Sequence, residues 1–187
     1  MSRLGKKPIV VPKGTKIKID LGRVTVEGEK GSLSLTVPEG ITVVRDGDYL
    51  KVSRVNDLRH NRAMHGTIRQ LIANMITGVN KEWRKKLEII GTGYGVELKE
   101  KSLFFSLGFS HIIELKPLEG VRFEVEGNNL ITVIATDKQK VGEMAYQIRS
   151  LRPPDVYKGK GIRYFGEEIK LKLGKAAKMG EAGEGAT

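Results

Sequence analysis

The chain has 187 residues, with 33 Lys and Arg against 22 Asp and Glu, so its formal net charge is +11 and its pI is about 9.8. It contains no cysteine, which excludes disulfide frameworks, thiolate zinc sites and cysteine nucleophiles, and His60, His65 and His111 are too few and too far apart for a metal cluster. No apolar run approaches the roughly 18 residues of a membrane span, so the charge calls for an anionic partner; nucleic acid comes before a membrane surface, because phosphate neutralisation releases counterions.

Residues 1–18 carry Arg3, Lys6, Lys7, Lys13, Lys16 and Lys18 beside Pro8 and Pro12, with no acidic residue. They read as an extended cationic arm that orders on its partner. The stretch is basic and lacks the apolar core of a secretory signal, so a cytosolic protein is expected. Val24-Thr25-Val26, Leu33-Ser34-Leu35-Thr36-Val37 and Leu50-Lys51-Val52 then alternate at period two between glycine-bearing turns, the pattern of antiparallel strands. From Asp57 the period changes. Met64, Ile68, Leu71, Ile72, Met75 and Ile76 fall on one helical face, with Asn56 or Asp57 as N-cap and Gly78 as the stop. His65, beside that stripe, reads as a ring hydrogen-bonded within its domain.

Lys81, Arg84, Lys85 and Lys86 surround Trp83 at a join between domains, and Trp83 is expected to pack there. Gly91-Thr92-Gly93-Tyr94-Gly95 resembles a phosphate loop, but the residues after it alternate as a strand, whereas a dinucleotide fingerprint must open a helix. A nucleotide site is therefore rejected. Those glycines instead let backbone meet RNA or a neighbouring strand. Residues 96–98, 103–107, 112–115, 121–125 and 130–134 read as strands, and His111 lies in a turn where RNA contact and capping are equally open. Val141, Met144, Ala145, Ile148 and Leu151 form a second helical stripe, capped by Asp137 and ended by Pro153-Pro154.

The segment after that helix is the sharpest. In 151–164, prolines fix the backbone, glycines let it approach a surface, and Arg152, Lys158, Lys160 and Arg163 stand among Tyr157 and Tyr164. This is the composition of a loop that tracks phosphates while rings stack on splayed bases; the plainer alternative is a solvated basic loop with two packing tyrosines. Residues 174–187 are mostly Gly, Ala, Lys and Glu and are expected to be disordered, with Lys175 and Lys178 still able to touch RNA.

One offset relates the two halves. Gly28 matches Gly108, Leu35 Leu115, Gly47 Gly127, Leu50 Leu130, Asp57 Asp137 and Leu71 Leu151, always at 108 − 28 = 80. A repeat this long is a duplicated domain rather than a solenoid unit. The fold class is α+β: two tandem duplicated domains, each an antiparallel sheet packed against one long helix. The expected bounds are 1–82 with the arm, 83–173 for the RNA-binding repeat, and 174–187 for the tail.

No Ser or Lys sits in a nucleophile motif and the carboxylates are not paired across a pocket, so no enzyme, cofactor, metal or small-molecule substrate is expected. A peripheral membrane protein would line one amphipathic helix with its cations, whereas here they lie on loops and termini.

Pro154-Asp155-Val156-Tyr157-Lys158-Gly159-Lys160-Gly161-Ile162 resembles the signature of the family of the sixth protein of the large ribosomal subunit. Ser2-Arg3-Leu4-Gly5-Lys6-Lys7-Pro8-Ile9, His65-Gly66-Thr67-Ile68-Arg69 with Asn74-Met75, and Gly91-Thr92-Gly93-Tyr94 resemble three further family segments in the same order, so the likeness covers nearly the whole chain. The resemblance implies a structural ribosomal protein whose second domain docks on large-subunit rRNA. It would lie among neighbouring ribosomal proteins at the base of the acidic stalk, near the loop that elongation factors touch. Carried onto this chain, the binding residues are Tyr157, Lys158, Gly159, Lys160 and Gly161, with Arg152, Arg163, Gly91, Gly93 and Tyr94 nearby. Val156 and Ile112 stand where many members have proline.

Overall fold

In Arg23–Gly28 the alternate residues Val24 and Val26 are buried, which is what period-two patterning does once one face of a strand is covered. The same rule runs through the computed structural model, which describes residues 5–20 and 22–172. The first repeat holds β1 (Ile9–Val10), β2 (Lys16–Asp20), β3 (Arg23–Gly28), β4 (Gly31–Thr36), β5 (Ile41–Asp46), β6 (Tyr49–Arg54) and α1 (Arg59–Lys81). The second holds β7 (Trp83–Ile90), β8 (Gly95–Lys99), β9 (Ser102–Ser106), β10 (Ile113–Leu115), β11 (Val121–Glu126), β12 (Leu130–Ala135), α2 (Lys138–Leu151) and β13 (Gly161–Tyr164). The fold is α+β and duplicated, and the offset holds between elements: β5 and β11 begin 121 − 41 = 80 residues apart.

The strands of each repeat divide between two sheets. In the first, the orders are β1-β6-β5 and β2-β3-β4. In the second, β8-β9-β10 repeats the latter, while β7-β12-β11 gains β13 on the far side of β7. β13 pairs antiparallel with β7, Gly161 opposite Ile90 and Tyr164 opposite Leu87. Among the described residues, one compact unit runs to Trp83 and takes in Ala135–Val141, and the other comprises Arg84–Ile134 with those from Gly142 onward.

Helix α1 buries Ile68, Ile72, Met75, Ile76 and Val79 in a core with Val24, Val26, Val43 and Leu50. Ile72 has no exposed surface, and burying such a side chain is worth about 1.5–3 kcal/mol. His65 is also buried. Its Nε2 lies 2.8 Å from the Val52 carbonyl and its Nδ1 3.2 Å from Arg54 Nη1. Arginine has no acceptor to offer, so Nδ1 accepts and Nε2 carries the proton. In the second unit, Met144 and Ile148 of α2 pack out of solvent, as do Leu103, Phe105, Ile131 and Ile162.

Several expectations need correction. The basic arm contains β1 and β2: Ile9 pairs with Leu50 and Ile17 with Val26, because Lys16-Ile17-Lys18-Ile19 alternates despite its charge. Neither Asn56 nor Asp57 caps α1; the cap position is Leu58, with no side-chain bond to the helix. Asn56 Oδ1 takes the Leu58 amide one step earlier, and Asp57 pairs with Arg54 at 2.6 Å. Asp137, by contrast, accepts the Gln139 amide at 2.8 Å at the head of α2.

Gly78 does not end α1. The helix continues to Lys81, and Glu82, at φ 53°, closes it with its amide on the Gly78 carbonyl. Gly78 is glycine for a different reason, since a Cβ there would collide with the Thr136 carbonyl oxygen. Trp83 donates its indole N–H to the Asn74 carbonyl of α1 at 3.1 Å, so its polar handle serves the first repeat. The cationic join around it is divided between the end of α1, which holds Lys81, and strand β7, which holds Arg84, Lys85 and Lys86.

Candidate nucleic-acid interface

Pro153 and Pro154 cannot continue a helix, so α2 stops at Leu151 and the chain turns. Asp155 then organises the loop. Its carboxylate accepts the amides of Tyr157 at 3.2 Å and Lys158 at 3.1 Å. Its own carbonyl accepts the Gly159 amide at 2.8 Å, and its amide donates to the Lys160 carbonyl at 2.9 Å. Residues 155–160 thus form a closed turn that leaves Tyr157 and Lys158 exposed at its tip.

Glycine is required twice. Gly159 has φ 70° and Gly161 φ 143°, conformations that L side chains rarely adopt, and a Cβ on Gly161 would stand 2.6 Å from the Pro153 carbonyl oxygen. The Ile162 amide donates to the Arg152 carbonyl at 2.8 Å, fastening the end of the loop to its beginning before β13 joins β7.

Two other segments of the second unit meet this loop. Lys160 Nζ donates to Thr92 Oγ1 at 3.0 Å, tying the loop to the 91–94 turn. The Tyr94 ring lies against Gly91 and Gly108, where an added Cβ would come within 2.7 and 3.1 Å of its carbons. Gly93, at φ 76°, has open space around it. The Arg152 guanidinium stands 5.6 Å from the Tyr94 ring centroid and 4.8 Å from that of Phe109, and Phe109 stacks on His111 at 6.1 Å.

The arginines around the loop differ in what neutralises them. Arg163 is ion-paired to Glu88 across the β13–β7 register. Arg149 holds Glu167 at 2.7 Å. Glu167 also accepts the Tyr164 amide at 3.0 Å; that bond first, and the Arg149 guanidinium second, hold its carboxyl below the usual range. No carboxylate pairs with Arg152 among the described residues. Its charge is flanked by rings and stays uncompensated.

The structure therefore brings Arg152, Tyr157, Lys158, Gly159, Lys160, Gly161, Gly91, Gly93, Tyr94 and His111 into one unit. Arg163 is turned to Glu88 instead, and Lys175 and Lys178 lie outside the described residues. Sequence reasoning passed over Thr92 and Phe109. The exposed aromatic in Gly108-Phe109-Ser110-His111 was the available signal for Phe109. Among the described residues no cluster of three metal-ligating side chains occurs, and no helix is long and apolar enough to cross a membrane.

In comparison with known proteins, the family model described as Ribosomal protein L6 matches residues 11–82 and 90–165. A curated relative from Syntrophomonas wolfei subsp. wolfei, named large ribosomal subunit protein uL6, is 50% identical over 176 residues, covering 94% of this chain and 98% of that protein.

Proposed function

The chain belongs to the ribosomal protein L6 family, and on that premise we propose that its 152–161 loop, with the 91–94 turn and His111, grips large-subunit rRNA near the base of the acidic stalk. The protein is a constituent of the large ribosomal subunit and has a structural role in translation rather than a catalytic one; binding rRNA is general to the family. The finer assignment is to named groups. Lys158 at the tip and Arg152 at the root neutralise phosphates, the glycines admit the RNA backbone closely, and Tyr157 offers a ring to an unstacked base. Lys160 braces the loop on Thr92. The observation that carries this reading is the closed Asp155 turn, which holds Tyr157 and Lys158 outward with their backbone amides already satisfied.

The test is binding of the full chain to large-subunit rRNA across a salt series, with bulk transfer RNA as competitor, for the natural protein and a Lys158→Ala/Lys160→Ala variant. Losing the Lys158 phosphate contact should flatten the slope of log affinity against log salt by about 0.7–0.9, with the unfolding midpoint little changed. Unchanged affinity and slope would remove the loop from the interface. In assembled subunits, crosslinks from the 154–160 loop to proteins of the stalk base check the placement, and crosslinks confined to other regions would overturn it.

A further inference from the structure

Phe109 is a large aromatic residue that the fold leaves in solvent, 41% exposed, yet it is held in place. Gly108 turns the chain at φ 73° and has no room for a side chain beside Tyr94. The Arg152 guanidinium lies over the Phe109 ring, 4.8 Å from its centroid, and over the Tyr94 ring at 5.6 Å. His111, also exposed, stacks on Phe109 with the ring planes 27° apart. Tyr94 and Phe109 thus share the Arg152 guanidinium, Tyr94 half-buried, Phe109 and its neighbour His111 exposed. A basic residue needed only for phosphate would not require rings around it.

From this arrangement we infer that Phe109, with His111 beside it and Arg152 behind it, is a stacking platform for one unpaired base of the bound RNA. The inference deepens the proposed function and rests on it, because it assigns the RNA at this edge of the site a nucleotide displaced from its helix. The chemistry is suited to that ligand. Base stacking on an aromatic face needs no sequence-specific hydrogen bond, and a guanidinium adds cation–π attraction while remaining free to meet the adjacent phosphate. A duplex groove would offer Phe109 no π-face, since its bases are stacked on one another.

The experiment compares the full chain with Phe109→Leu and Phe109→Tyr for binding to transcribed large-subunit rRNA over the same salt series, with Lys158→Ala/Lys160→Ala alongside. Stacking lost in Phe109→Leu should weaken binding roughly 5- to 150-fold while leaving the salt slope unchanged, because no ion contact is removed, and Phe109→Tyr should restore affinity. If the lysine variant loses slope but Phe109→Leu binds as tightly as the natural chain, the platform is wrong and the loop assignment stands. If neither variant differs from the natural chain, the loop assignment itself has failed. Loss in both Phe109 variants, with unfolding midpoints unchanged, would also overturn the inference, since a tyrosine ring stacks as well as a phenylalanine.

Discussion

Arg69 and Arg149 occupy the same position of the two repeats, 149 − 69 = 80 residues apart, and close two different edges. Arg69 Nε donates to the Lys7 carbonyl at 3.2 Å and Nη2 to that of Pro8 at 3.4 Å. Arg149 instead holds Glu167, just beyond β13. In the second repeat the backbone beside β7 is paired by a whole strand. In the first, where β1 is two residues long, a side chain takes that place. Arg69→Ala is expected to lower stability by about 0.5–1.5 kcal/mol and to speed amide exchange in 7–12 while the α1 core stays protected. Exchange of that segment at the natural rate would show that Arg69 does not hold it.

The Asp155 carboxylate accepts two amides and is also a negative charge in a cationic loop. Asp155→Ala therefore separates the two roles. Charge alone predicts tighter RNA binding; loss of the turn predicts a decrease of roughly 3- to 30-fold, because the backbone of Tyr157 and Lys158 is no longer pre-set. We expect the decrease, read as affinity for large-subunit rRNA at fixed salt. A gain would mean that the loop's geometry contributes little.

Gly159 and Gly161 should respond unequally to alanine. At Gly159 the added methyl meets only Leu171 Cδ2 at 3.5 Å, so Gly159→Ala carries the cost of the left-handed backbone, about 1 kcal/mol. At Gly161 the methyl would collide with the Pro153 and Pro154 backbone, and Gly161→Ala should cost about 2–4 kcal/mol. Denaturant melts of the two variants check the order. Equal losses would show that the loop relaxes freely.

Glu167 sets an acid dependence. Its folded carboxyl titrates below the ordinary glutamate range, held down first by the Tyr164 amide and then by Arg149. A carboxyl so shifted adds stability above its unfolded pKa of roughly 4–4.5 and loses it as pH falls through the lower folded value. Natural protein should thus exceed Glu167→Gln in unfolding free energy at pH 6–7, with the gap closing as pH falls through about 4. A gap that persists undiminished at about pH 3 would exclude the carboxylate's charge as its source.

The sequence carried most of the duplication. The period-two runs of Val24-Thr25-Val26 and Leu50-Lys51-Val52, and the apolar stripes of both helices, became elements where expected. Three of the elements it did not name carried a competing local signal. β2 looked like an arm because its alternation is written in lysines, and β7 looked like a patch because cations crowd its start. β13 looked like loop because a four-residue strand exists only through its pairing with β7, roughly 70 residues earlier in the chain.

The same division runs through the interface. Residue types and punctuation alone mark 151–164 as a rigid, cationic, glycine-relieved segment, since proline and glycine act on their own backbone and charge sums without geometry. That Lys160 is anchored to Thr92, that Glu88 neutralises Arg163 while no carboxylate among the described residues pairs with Arg152, and that Phe109 lies over that guanidinium are facts of distance between segments remote in the chain. Period and composition are local properties of a sequence. Which cation is compensated and which ring is left open depend on which surfaces the folded sheet brings side by side, and only the tertiary structure decides that.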